Sequence, residues 1–152
     1  MRARFPPQRI HHGVTRVLIL NHLNIAGPMH DIDKIATAFM WGQPFSDLCP
    51  VFPRENDRHE GVLDARRKAW GTTDEAMQSQ VIDVFPNSAA IEFLTVGTEP
   101  DKFIAFLSRS YPQVSGVCQF HMQANPLVRS GIINISGGRT FARNYIAKKE
   151  YA

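Results

Sequence analysis

Glycine and proline cut this chain into short pieces, and that punctuation constrains its fold more than any other feature. Gly27-Pro28, Gly42 with Pro44, Pro53, Gly71, Pro86-Asn87, Pro100, Pro112, Asn125-Pro126 and Gly137-Gly138 leave room between them only for single strands and short helices. Between the breaks the hydrophobic period switches from two to about 3.6 residues and back. Thr15 to Ile25 is β-rich and then alternating, which suits a central strand. Residues 29–40 put Ile32, Ile35, Ala36, Phe39 and Met40 on one helical stripe, with Asp31 and Asp33 in the first turn, where the helix dipole favours negative charge. Phe45 to Val51 reads as a short strand between prolines, residues 54–60 as an exposed charged loop, and Val62 to Ala69 as a short helix. Gln80 to Phe85 and Ala89 to Val96 read as a hairpin around Pro86-Asn87-Ser88. Pro100 opens a helix that turns Phe103, Ile104, Phe106 and Leu107 inward and stops at Tyr111-Pro112. Gly116 to Gln123 and Ser130 to Ser136 are two further strands, the last closed by Gly137-Gly138-Arg139.

The order β-α-β-(α)-β-β-α-β-β predicts an α+β fold. The expectation is a ferredoxin-like split βαβ sandwich: an antiparallel sheet with helices on one face, plus an extra strand and a short helix. Residues 1–14 read as a basic N-terminal arm, 15–138 as the ferredoxin-like domain, and 139–152 as a basic C-terminal tail or short helix. At 152 residues, 43% hydrophobic and 20% charged, the chain has the make-up of one soluble globular domain. The longest apolar candidate, Val17 to Ile25, is interrupted by Asn21, His22 and Asn24, far short of the ~18 residues of a membrane span. Met1 to Pro7 is basic, but no apolar stretch follows to make a signal peptide, so a cytoplasmic location is expected. In that compartment Cys49 and Cys118 read as buried free thiols.

Charge is unevenly spread. Residues 1–30 hold Arg2, Arg4, Arg9 and Arg16 and no acid, while residues 126–152 hold Arg129, Arg139, Arg143, Lys148 and Lys149 against Glu150 alone. The middle carries eight basic and thirteen acidic side chains. Two basic ends on a mildly acidic body can track a phosphate backbone or an acidic protein surface. Arg2, Arg4, Arg9, Arg16, Arg139, Arg143, Lys148 and Lys149 are the candidate phosphate contacts. The loop residues Arg54, Glu55, Asp57, Arg58 and Glu60 are the candidate partner-binding loop.

Motifs for chemistry are sparse. The six histidines form no HxH, HxxxH or HExxH pattern, and there is no CxxC, so no metal and no cofactor is expected. No GxSxG elbow, phosphate loop or dinucleotide fingerprint occurs, and no catalytic residue is assigned. His22 and His121 lie in expected strands and would approach each other across the sheet. Base stacking of the kind seen on RNA-recognition sheets is disfavoured, since Leu18, Leu20 and Phe93 supply no aromatic platform.

An ordered series of segments resembles the YubB-like ferredoxin-like family of small plasmid and phage proteins. The series runs from Asn21-His22-Leu23-Asn24-Ile25-Ala26-Gly27 through Phe45-Ser46-Asp47-Leu48-Cys49-Pro50-Val51-Phe52-Pro53 to Trp70-Gly71-Thr72. Thr95 with Pro100, Tyr111-Pro112 and the closing Gly137-Gly138 complete it. Val96-Gly97 and Thr73-Asp74 depart from the family's aromatic positions. The resemblance implies the fold and a mobile-element setting, not an activity. Trp70-Gly71-Thr72 itself reads as structural: a tryptophan anchor, a glycine at positive φ and a threonine cap.

Three expectations for function follow. The first is a non-enzymatic plasmid or phage accessory protein that binds a host or element-encoded macromolecule, one version being an inhibitor of a host defence system. The second is a nucleic-acid-binding protein using the basic terminal segments. The third is an enzyme whose site is assembled from dispersed residues such as His22, Asp83, His121 and Arg139. The sheet leaves apolar surface for a homodimer, and no membrane partner is expected.

Overall fold

A computed structural model describes residues 17–52, 59–124 and 130–145. Its elements run β1 (Leu18–Ala26), α1 (Met29–Trp41), α2 (Pro44–Leu48), α3 (His59–Trp70), β2 (Met77–Phe85), β3 (Ser88–Val96), α4 (Asp101–Ser110), β4 (Ser115–Met122), β5 (Ser130–Ser136) and β6 (Arg139–Tyr145). The six strands form one sheet in the order β2-β3-β1-β4-β5-β6, and every neighbouring pair is antiparallel. Among the described residues the fold is α+β, a six-stranded antiparallel sheet with four helices.

Strand alternation decides which side the helices cover. In β1, Ile19, Leu23 and Ile25 are buried, as is Asn21 between them, and the intervening residues are not. Ile91 and Phe93 of β3, Cys118 and Phe120 of β4, and Ile133 and Ile135 of β5 point the same way into one core. From α1, Ile32, Ile35 and Phe39 enter that core, as do Phe103, Ile104 and Leu107 from α4. The centre is aromatic: Phe45 packs against Phe103 with ring centroids 4.3 Å apart, and Phe39 against Phe93 at 5.0 Å. Two polar side chains, Asn21 and Thr95, sit among them. Asn21 Nδ2 donates to the Ile19 and Phe93 carbonyls and to Thr95 Oγ1, which donates in turn to the Thr98 carbonyl.

The Trp70-Gly71-Thr72 segment ties the helical layer to the sheet. Trp70 is 1% exposed, its indole N–H donates to the Cys49 carbonyl at 2.8 Å, and its ring lies 5.5 Å from that of Phe45. Gly71 has φ +89°, as expected of a glycine stop. Thr72 does not cap a helix: its hydroxyl donates to the Val96 carbonyl at the end of β3.

Two further expectations fail. Phe45 to Val51 is not a strand, because Pro44 starts the short helix α2. The Glu75 carboxylate accepts hydrogen bonds from the Phe45 and Ser46 amides and the Ser46 hydroxyl, which holds its first turn. A run this short has no period to tell strand from helix. Residues 139–145 are not a tail or short helix but the edge strand β6. Gly137 and Gly138, at φ +60° and +80°, make the two-residue turn with both central φ values positive that joins twisted antiparallel strands. Helix α3 also begins earlier than expected, taking in His59 and Glu60 from the charged loop. Among the described residues, no helix is long and apolar enough to cross a membrane.

Candidate functional site

The other side of the sheet carries no helix among the described residues. Pairing registers lay its side chains out in rows that cross all six strands. One row runs Arg143, Ile132, Gln119, His22, Glu92, Gln80 from β6 to β2. On one side of it lies Phe141, Asn134, Val117, Asn24, Ala90, Asp83. On the other, after register position 145, come Ser130, His121, Leu20, Leu94 and Met77. Five adjacent strand spacings of about 4.8 Å give the face a width of roughly 24 Å.

At the centre His22 Nδ1 lies 2.9 Å from Glu92 Oε2, with both side chains about one-third exposed. A carboxylate only accepts, so Nδ1 carries the proton in that bond. The His121 ring stacks on the His22 ring at 5.7 Å with 24° between planes. The expected approach of these two histidines across the sheet is present, on the uncovered face. Asp83 lies two strands from β1, and Arg139 sits at the Ser136 end of β6. The structure therefore does not assemble His22, Asp83, His121 and Arg139 into one cleft. Among the described residues, no group of three His, Cys, Asp or Glu side chains is placed to hold a metal ion.

Charge is sorted across this face. Its described carboxylates, Glu92 and Asp83, belong to β3 and β2. Its arginines, Arg139 and Arg143, belong to β6 with Phe141 between them, and Phe141 is 59% exposed. The intermediate strands β1, β4 and β5 present only neutral polar, histidine and apolar side chains there. Of the eight basic residues singled out in the sequence, Arg139 and Arg143 thus fall together on one strand. Arg2, Arg4, Arg9, Arg16, Lys148 and Lys149 lie outside the described residues. From the charged loop, Glu60 is in the first turn of α3, while Arg54, Glu55, Asp57 and Arg58 lie outside the described residues.

Phe141 is the functional candidate that sequence reasoning missed. The signal was there: Gly-Gly between two runs of alternating character is a strong hairpin mark, and the alternation of Arg139, Phe141 and Arg143 follows from it. Phe93, weighed as a stacking residue, is 0% exposed and belongs to the core.

The thiols are unsuited to nucleophilic work. Cys118 is fully buried, and desolvation, reinforced by the negative charge of Glu99, pushes its pKa up to about 12. Burial also raises Cys49, against the opposing pull of Arg109 and a hydrogen bond with Trp70. Both are free cysteines. Comparison with family models, with curated proteins and with solved structures returned no match.

Proposed function

We propose that this chain is a non-enzymatic binding protein whose uncovered sheet face receives a macromolecular partner. The observation that carries this reading is the asymmetry of the sheet: the helices pack on one side, and the other presents a broad polar and apolar surface of sorted charge. A face roughly 24 Å across, with a shallow open recess lined by Asn24, Asp83, Phe85, Ser88 and Val117, is broad enough to receive a chain or a surface. The strand order β2-β3-β1-β4 with α1 and α4 as crossovers supports a ferredoxin-like split βαβ core, to which β5 and β6 are added at one edge. The resemblance to YubB-like proteins adds the setting, a plasmid or phage accessory protein in the cytoplasm, with inhibition of a host defence system as one form of the activity.

The test compares Ile132→Glu, on β5 of the open face, with Lys34→Glu on the exposed side of α1, both checked for an unchanged melting temperature. Protein and nucleic acid recovered on each bait from a bacterial lysate are then identified. Loss of a partner with Ile132→Glu alone supports the reading. Loss with Lys34→Glu alone, or with neither, contradicts it.

A further inference from the structure

We infer that the half of the open face formed by β1, β4, β5 and β6 is a binding surface for single-stranded nucleic acid, with Phe141 as its stacking residue and Arg139 and Arg143 as phosphate contacts. This rests on the reading of the open face as the binding surface and names its partner.

Three observations converge. Among the described residues, the open side of these four strands holds no carboxylate, while Glu92 and Asp83 mark the other half. A polyanion is therefore admitted on one half of the sheet and repelled from the other. Next, Arg139, Phe141 and Arg143 project on the same side at two-residue intervals, which sets successive side chains roughly 6.8 Å apart along β6. An exposed aromatic ring between two guanidinium groups matches what an unpaired nucleotide offers, a free base face between phosphates. Duplex DNA hides its base faces and could engage only the arginines, which is why a single strand is favoured.

The third observation concerns the ends of the described strands. Gln123 N–H donates to the Leu18 carbonyl, and Ser130 pairs with both His121 and position 145. The start of β1, the end of β4, the start of β5 and the end of β6 thus share one end of the sheet. Residues 17, 124, 130 and 145 belong to that end, and the sequence continuing from them carries Arg2, Arg4, Arg9, Arg16, Arg129, Lys148 and Lys149. Along the acid-free half of the face, Gln119, Asn134, Asn24 and Ser130 supply donors and acceptors for base edges.

The experiment is fluorescence polarisation of the full chain with labelled oligothymidylate and oligouridylate of about twelve nucleotides and with a duplex of the same length, over a salt series. Single strands are expected to bind in preference to the duplex. Phe141→Ala should weaken binding about 5- to 150-fold, the range for one stacked base. Arg139→Ala and Arg143→Ala should each lower the salt slope by about 0.7. Asp83→Asn should tighten binding by removing repulsion at the far edge, and Lys102→Ala on α4 should change nothing. These positions are exposed, so folding is checked by an unchanged melting curve. Binding that ignores Phe141→Ala and both arginine variants but disappears on trimming 1–16 and 146–152 would overturn the inference. So would preference for the duplex, or no binding of any probe. In that last case a protein partner lost with Ile132→Glu would still leave the broader reading of the open face standing.

Discussion

Removing the Trp70 side chain should cost this protein a large part of its stability and leave its binding face intact. The indole is buried to 1% exposure, caps the junction of α2 and α3, and packs against Phe45. A buried tryptophan cut to alanine loses roughly 3–5 kcal/mol, the sum of lost transfer energy and the cavity left behind. Trp70→Phe keeps a ring against Phe45 but leaves the Cys49 carbonyl without its 2.8 Å donor. An orphaned buried acceptor costs about 1–3 kcal/mol, so roughly 2 kcal/mol is expected. For a domain of this size each kcal/mol moves the melting temperature by about 2–4 °C, which places Trp70→Phe about 4–8 °C below wild type. The assay is urea and thermal unfolding followed by circular dichroism. Fluorescence gives a second reading, because the chain has two tryptophans and Trp41 is 79% exposed. Trp41→Phe should leave a blue-shifted, quencher-resistant emission, and Trp70→Phe a red-shifted, readily quenched one. A Trp70→Ala protein losing under about 1 kcal/mol, or a quenchable Trp70, would refute this packing.

Other outcomes follow from the same structure. Neither Cys49 nor Cys118 should react with a thiol reagent in the native protein at pH 8, and both should react in denaturant. Because Cys118 is held near 12 when folded, its contribution is present below its ordinary value of 9.0 and is lost as pH rises between the two, since only the unfolded chain releases that proton. The full effect is about 4 kcal/mol, and Cys118→Ala should flatten the alkaline decline in stability by one proton. Gly116→Ala should destabilise by about 2 kcal/mol or more, because a Cβ there would collide with the Asn24 carbonyl on the neighbouring strand. Glu75→Ala should cost about 1–3 kcal/mol and speed hydrogen exchange at the Phe45 and Ser46 amides, whose acceptor it removes.

The sheet was legible where the chain alternates and is bounded by turn residues. Ser130 to Ser136 falls on β5, and β1, β3 and β4 differ from expectation by a few residues at their ends. Asn21, in the middle of β1, breaks no strand because its amide bonds within the covered face. What was not legible depended on distant groups. Residues 44–48 become helical with a carboxylate about thirty positions away holding the first turn. Edge strand β2 alternates weakly and carries two register irregularities, so its start at Met77 left no pattern. The candidate face was half visible. Pairing of His22 with His121 could be anticipated, whereas its partner Glu92 and the grouping of Arg139, Phe141 and Arg143 required the register of β3 and the existence of β6.

Backbone amide chemical-shift mapping with unlabelled oligothymidylate of about twelve nucleotides tests the open face most directly. The expected result is a set of perturbed amides along β6, β5, β4 and β1, strongest around Phe141, with α1, α3 and α4 unmoved. Shifts confined to the helical side, or to residues 1–16 and 146–152 with β6 silent, would contradict it.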